Sequence, residues 1–361
     1  MYDTKWLKST MPKLKIHEPI FDYMRAIAVC AVVALHTSAI VVVKYISNPD
    51  SFGWWTGNVV NSMVRWCVPV FVMLSGALLL DPSKSETATE FFRKRINRIL
   101  IPLVFWSLVY IILAWVFHSM QSGFNFIELL RRLVTGLLSG RPHYHLWFLF
   151  MIIGLYAITP ILRLILKRFH SYCLYIGLGC LALTVYATGM QWTENIIIMA
   201  RKIFATQFIE FIGYFILGSA LFHNLRKQKT LWPFIALALL SMFTTAHGTY
   251  NQIINNHPVP FYFYSYNSPF VAVMVVSIFI VFCGLRDTLK VNKMITVLSD
   301  NSLGIYIIHA ALLDIITQSM YRLCVMIHPV LFIPTAVVLL IALSVCISIG
   351  IRKIPIMRKV V

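Results

Sequence analysis

Charge is what this chain has least of. Asp, Glu, Lys and Arg together make up 12% of its 361 residues, whereas apolar types make up 59% and the mean hydropathy is +0.78. Soluble domains carry about 25% charged residues, so a soluble fold is all but excluded and a multi-span membrane protein is expected. Acidic groups are scarcer still, 13 against 31 Lys and Arg, which leaves a net charge of +18. A surplus of that size can signal nucleic-acid binding. Here the bases fall in short clusters between apolar segments rather than over one surface, so they read as a topology signal and no nucleic-acid partner is expected.

Other absences narrow the field. The seven cysteines (30, 67, 173, 180, 283, 324 and 346) contain no C-x-x-C and sit mostly inside apolar segments, where a free thiol behaves as a small hydrophobe. No redox or metal chemistry follows from them. There is no internal repeat, no low-complexity tract and no appended soluble domain, so residues 1–361 read as a single membrane unit. A signal peptide is not indicated either. Lys5, Lys8, Lys13 and Lys15 lead into a span too long for a signal h-region, without a small-residue cleavage site, so it is expected to stay as the first helix.

What is present is a series of ten apolar segments: Ile20 to Val43, Val59 to Leu80, Ile99 to His118, Leu146 to Leu166, Cys173 to Met190, Phe208 to Phe222, Leu231 to Ala246, Pro269 to Leu285, Leu303 to Val325, and Leu331 to Ile351. The pattern predicts an all-α integral membrane protein of about ten transmembrane helices around a polar pore. With the N-terminus inside, the cytosolic segments would be the first tail, Asp81–Arg98, Arg163–Tyr172, His223–Thr230, Arg286–Ser302 and the tail after Ile351. They hold 22 Lys plus Arg against 7 in the opposite set, which predicts that both termini are cytosolic. Phe124 to Gly140 has apolar residues at helical spacing with Glu128, Arg131 and Arg132 on the other side, and is expected to lie along the interface. His247 to Asn267, rich in Asn, Pro and Tyr, suits either a sugar-facing surface or an aromatic interface anchor.

The stretch that organises the chain is Glu18 to Val43, long enough to span a bilayer yet carrying Asp22, Arg25 and His36. The eleven steps from Arg25 to His36 return to within roughly 20° of the same direction with a rise of about 16 Å, and Asp22 shares that face. Snorkelling by Arg25 and a neighbouring-helix contact for His36 would be the ordinary reading. Three aligned ionisable groups point instead to a protein interior or a wet cavity.

Further candidates follow in order. The loop EFFRKRINRILIP places Arg93, Lys94, Arg95 and Arg98 before the third span, and ordinary positive-inside bias accounts for such a cluster. The alternative is a phosphate site, since Arg95 and Arg98 share a helix face and guanidinium forks suit phosphate oxygens. In VPVFVMLSG, the small Ser75 and Gly76 let another helix or a ligand come close. PHYHLWFL carries His143, His145 and Trp147; two histidines two apart do not share a helix face, so zinc is not expected. NSLGIYIIHAALLD holds Tyr306, His309 and Asp314, and Glu210 is another intramembrane carboxylate. Span nine runs in the same direction as span one with His309 only a turn or two from its inner end, so contact between His309 and His36 is not expected.

Assembled, these motifs resemble the membrane-bound acyltransferase 3 family over nearly the full length: FDYMRAIAVCAVVALH with Arg25 and His36, VPVFVMLSG, RKRINR with Arg95 and Arg98, HLWFL, and SLGIYIIH ending at His309. The resemblance implies a multi-pass bacterial inner-membrane O-acyltransferase. Such an enzyme moves an acyl group, usually acetyl, from cytosolic acyl-CoA to a hydroxyl of a surface polysaccharide or its lipid-linked precursor, as in the O-acetyltransferases of enterobacterial common antigen. On that reading acetyl-CoA is the donor substrate and no metal takes part. His36 is the base that deprotonates the acceptor, or less directly an acyl carrier. Arg93, Arg95 and Arg98, with Ser75 beside them, hold the donor, and Asp22 and Arg25 line the pore entrance. Trp147, Glu210, Tyr306 and His309 are candidate pore-lining groups. Two other functions use the same residues: a transporter or flippase, against which the lack of an inverted half-helix repeat speaks, and a relay subunit that passes acyl groups to a separate transferase.

Overall fold

The computed structural model describes residues 18–81, 86–193, 204–225, 230–319 and 327–361. Among them there is no β-strand; the protein is all-helical, as the apolar periodicity predicts. The helices are α1 (Pro19–Lys44), α2 (Phe52–Val64), α3 (Cys67–Leu79), α4 (Ala88–Arg95), α5 (Ile101–Ser122), α6 (Phe126–Leu138), α7 (Trp147–Arg168), α8 (Cys173–Thr193), α9 (Ile212–Asn224), α10 (Trp232–Ile254), α11 (Pro269–Gly284), α12 (Lys293–Asp300), α13 (Ser302–Ser319) and α14 (Pro329–Arg352). Proline opens the first turn of α1, α5, α10, α11 and α14, where its missing N–H leaves no helical bond unmade.

Seven helical stretches of the described residues are long and apolar enough to cross a membrane, and eight if the bent pair α12–α13 counts as one. The expected sixth segment divides between a 3₁₀ stretch, Phe204–Phe211, and the 13-residue α9, too short to span by itself. The expected seventh lengthens into the 23-residue α10, whose Ser241, Thr244, Thr245, His247 and Thr249 lower its hydropathy. Residues 320–325 of the expected ninth span lie outside the described residues. The amphipathic α6 is a separate 13-residue helix whose Glu128 pairs with Arg131 and Arg132, both at 2.7 Å, while Phe126, Ile127, Val134 and Leu138 are exposed.

Three local irregularities set the candidate site's side chains. Pro69 cannot donate to the Arg65 carbonyl and its ring would clash there, so the stretch Phe52–Leu79 breaks at Arg65–Trp66 between α2 and α3. Pro102 likewise cannot donate to Arg98, and the turn before it widens into the π-helical Ile96–Leu100. At Asn301 the chain bends by 69° between α12 and α13; Asn301 is buried there and its side-chain oxygen accepts a 2.9 Å hydrogen bond from Ser348 on α14.

The core is continuous across α1, α3, α7, α9, α11 and α13, with α1 packed on several sides. Leu164, Leu183, Leu239, Phe243 and Val338 point outward from α7, α8, α10 and α14, as a lipid-facing shell requires. The tightest crossing is α3 on α9. A Cβ added at Gly76 would lie 1.8 Å from the Phe215 carbonyl oxygen, and one at Gly218 would lie 1.9 Å from the Met73 carbonyl oxygen. The two backbones touch through reciprocal glycines, the arrangement that small residues permit between membrane helices.

Gly76→Ala and Gly218→Ala should each lower stability by roughly 1–3 kcal/mol, the usual cost of overpacking, read as a drop in the detergent-solubilised thermal midpoint. Gly179→Ala, with nothing within 4 Å of the new methyl, should leave the midpoint unchanged or raise it slightly, since alanine is the better helix former.

Candidate active site

The polar stripe on α1 runs between two cavities that lie toward opposite ends of the bundle. The first, about 410 Å³, is lined by Arg25, Ser75, Arg95, Arg98, Tyr156, Ser302 and Tyr306 together with apolar side chains of α3 and α7. Four of the residues singled out from separate motifs, Arg25, Ser75, Arg95 and Arg98, therefore meet in one place. The π-helical turn does not part Arg95 from Arg98; both side chains reach the cavity. Ser75 turns to the cavity, its hydroxyl donating to Phe71 O at 2.9 Å, while the adjacent Gly76 turns to α9.

Two expected positions need correcting. Asp22 is not among the lining groups but is buried behind Arg25; its Oδ1 accepts from Ser299 Oγ at 2.8 Å and lies 3.4 Å from Arg25 Nη1, so it orients the arginine instead of forming the entrance. Arg93, two residues from Arg95 and so on another side of α4, is exposed and does not reach the cavity.

The mouth of this cavity is braced by one carboxylate. Glu86 takes Arg163 at 3.0 Å, Lys94 at 3.1 Å and Arg95 at 3.7 Å, and the guanidinium groups of Arg95 and Arg163 each stack 4.9 Å from the buried Phe91 ring. Burial alone would push the Glu86 carboxyl up. Hydrogen bonds from Arg163 and Lys94, with the charges of Arg95 and Arg163, outweigh it and hold the group below the ordinary carboxylate range.

The second cavity, about 580 Å³, is lined by His36, Arg65, Arg141, Tyr144, Trp147, Gln207, Glu210, Tyr266 and Asn267. Trp147, Phe211 and Tyr266 form one aromatic wall, with ring centroids about 6 Å apart (5.9 Å for both Trp147 contacts), and Asn267 Nδ2 donates to Glu210 at 3.2 Å. Of the Asn- and Tyr-rich stretch, Ser265, Tyr266 and Asn267 face this cavity. Arg65 was not anticipated. The signal was available: a lone arginine in the middle of an apolar run, which is costly in lipid unless it faces a cavity or partner.

Between the cavities stands a cluster of imidazoles. The His36 ring is 5.3 Å from that of His309, which is fully buried, and 5.1 Å from that of Tyr144. This overturns the expected separation in depth. The bend at Asn301 is the reason: α12 precedes the segment at an angle, and Ser302, the first residue of α13, already lines the cavity that Arg25 enters. The Ile305 carbonyl can only accept, so the 2.9 Å contact puts the proton on His309 Nδ1 and leaves a lone pair on Nε2, which is buried without a protein partner.

His145 closes the cluster, its ring 5.7 Å from His309. His143 links it to Asp314 through contacts of 2.8 Å (His143 Nδ1 to His145 Nδ1) and 2.9 Å (His143 Nε2 to Asp314 Oδ2). A carboxylate oxygen accepts, so with both rings neutral the chain runs in one direction and leaves His145 Nε2 as a second buried, unpartnered lone pair. The His143, His145 and Asp314 positions stood out in the sequence, but their connection is a tertiary fact. Tyr306 lines the first cavity, donates to the His145 carbonyl and lies 5.6 Å from Phe148, so these rings form the wall between the cavities. Among the described residues no group of three or more His, Cys, Asp or Glu has the geometry to hold a metal ion.

A family model for an acyltransferase domain, Acyl_transf_3, matches residues 18–352. No curated protein matches the chain, and no solved structure does.

Because the folded Glu86 value lies below the ordinary one, its bracing is complete above the ordinary carboxylate value and is lost as pH falls through the folded value. Glu86→Gln should therefore raise amide hydrogen exchange over residues 88–95 at neutral pH about five-fold, equivalent to about 1 kcal/mol for a partly exposed ion-pair cluster. The unmodified protein, corrected for intrinsic exchange, should match the variant only at acid pH.

Proposed function

The chain belongs to the acyltransferase 3 family, and from that premise we propose that it transfers an acyl group, in the first instance acetyl, from cytosolic acyl-CoA to a hydroxyl of a carbohydrate. It is a multi-pass membrane acyltransferase. The observation that carries the finer reading is the pair of cavities that approach one imidazole cluster from opposite ends, one lined by Arg25, Arg95 and Arg98, the other by aromatic and amide side chains with Arg65, Arg141 and Glu210.

In this reading Arg95 and Arg98 hold the phosphates of the donor, and Arg25, oriented by Asp22, guides the pantetheine arm past Ser75 toward Tyr306. Guanidinium forks suit phosphate oxygens geometrically as well as in charge. The acceptor sugar lies in the second cavity, a ring face against Trp147 and hydroxyls toward Glu210 and Asn267. His36 takes the proton from the acceptor hydroxyl as its oxygen attacks the thioester carbonyl carbon. The C–S bond breaks, and the proton passes to the departing thiolate. The Tyr306–Phe148 wall must part when the donor arm fills the first cavity. His309 contributes a lone pair facing the same cluster and positions the His36 ring. The basic end facing the cytosol accords with the 22-to-7 distribution of Lys and Arg.

The test uses purified protein in nanodiscs with acetyl-CoA and a glycan panel, following CoA thiol release and glycan mass together. His36→Ala should lower kcat by about 10²–10⁴, the usual contribution of a general base, with an unchanged thermal midpoint. Near-normal turnover in that variant would remove the assignment, and absence of any CoA release from the unmodified protein would favour transport. The double variant Arg95→Ala/Arg98→Ala should raise the KM for acyl-CoA more than about tenfold, since each charged hydrogen bond contributes about 1.5–3 kcal/mol. An unchanged KM would mean that these arginines serve topology alone.

A further inference from the structure

Among the described residues, some cations of the bundle are paired with a carboxylate and some that line the cavities, Arg65, Arg98 and Arg141, are not. Arg25 has Asp22, Arg95 and Arg163 share Glu86, and Arg286 has Glu18. Arg65, carried into the middle of the apolar stretch Phe52–Leu79, makes no ion pair with any carboxylate of the described residues. Its guanidinium is nevertheless held in place. It stacks 4.0 Å from the Tyr264 ring, Nη1 donates to Tyr264 O at 3.3 Å, and Nη2 donates to Asn61 Oδ1, while Nε is buried without a partner. Asn61 is oriented in turn, its amide donating to Leu35 O and Ser38 Oγ, both at 3.0 Å.

A fixed, uncompensated cation inside a membrane protein is costly unless an anion joins it. Arg65 lines the cavity that holds His36. It also lines an adjoining cavity of about 370 Å³ whose walls include Val42, Val43, Phe261 and Tyr264. It therefore stands where a polar chamber meets an apolar one. We propose that Arg65 is the oxyanion subsite of the acceptor: the substrate is an acidic glycan whose phosphate or carboxylate docks on this guanidinium while its hydroxyl lies at His36. The inference rests on the transferase reading and adds to it the charge class of the acceptor. The apolar chamber beside Arg65 suits the phosphate of a lipid-linked sugar, with the lipid chain in that chamber.

The test is direct binding to the full chain in phosphatidylcholine nanodiscs, so that it needs no turnover. The probes are geranylgeranyl phosphate against geranylgeraniol, and glucuronic acid against glucose. At least one anionic probe should bind about tenfold or more tightly than its neutral counterpart, and which one does so separates lipid phosphate from sugar carboxylate. Arg65→Gln should abolish that preference. Arg65→Lys should keep part of it, because a point charge replaces a fork. Equal binding of charged and neutral probes to the unmodified protein, or a preference that survives in Arg65→Gln, overturns the proposal. Should Arg65→Gln fail to fold, the unmodified protein and Arg65→Lys still decide. Loss of the preference with His36-dependent CoA release intact would sink the subsite alone; an intact preference with no CoA release would sink the transferase reading alone.

Discussion

Ionisable groups inside an apolar bundle must be met by protein or by a cavity, and the arrangement of helices around α1 follows from that demand. Asp22 is met by Ser299 from α12 and by Arg25 from its own helix; His36 is met by His309 from α13 and by Tyr144 from the segment before α7. Remove those partners and α1 would expose three polar groups to hydrocarbon on one stripe. The helix is buried over most of its length because that stripe must be met by protein.

The cost of that demand also explains where the backbone departs from regular geometry. The break at Arg65–Trp66, the π-helical turn at Ile96–Leu100 and the bend at Asn301 each sit beside a cavity, and each is traceable to a proline or a buried asparagine. Irregular backbone at membrane depth is tolerated only where it is enclosed by protein or borders a wet space. At the bend the enclosing group is Ser348, which satisfies Asn301 from α14.

Much of this was legible in the residues. The helical class and the stripe Asp22–Arg25–His36 follow from hydropathy and helical spacing, whereas a shared role for Arg25, Ser75, Arg95 and Arg98 was implied only by the family resemblance of their motifs. Depth was not legible. Counting turns from the end of an apolar segment assumes a straight span, and the 69° bend before α13 makes that count fail for His309. Nor can side-chain pairing across 171 residues, as between His143 and Asp314, be read from local spacing. The small residues near Arg65 point to helix packing, and the signal for Arg65 itself is a solitary charge in an apolar run.

The neighbours Ser75 and Gly76 divide one turn of α3 between two duties. Since α3 and α9 are in backbone contact through Gly76 on Phe215 and Gly218 on Met73, that wall of the basic cavity has no slack to yield. Across the same cavity α13 begins at an elbow and presents Tyr306. The chamber thus has one wall locked backbone to backbone, and the tyrosine of its partition rides on the same helix as His309.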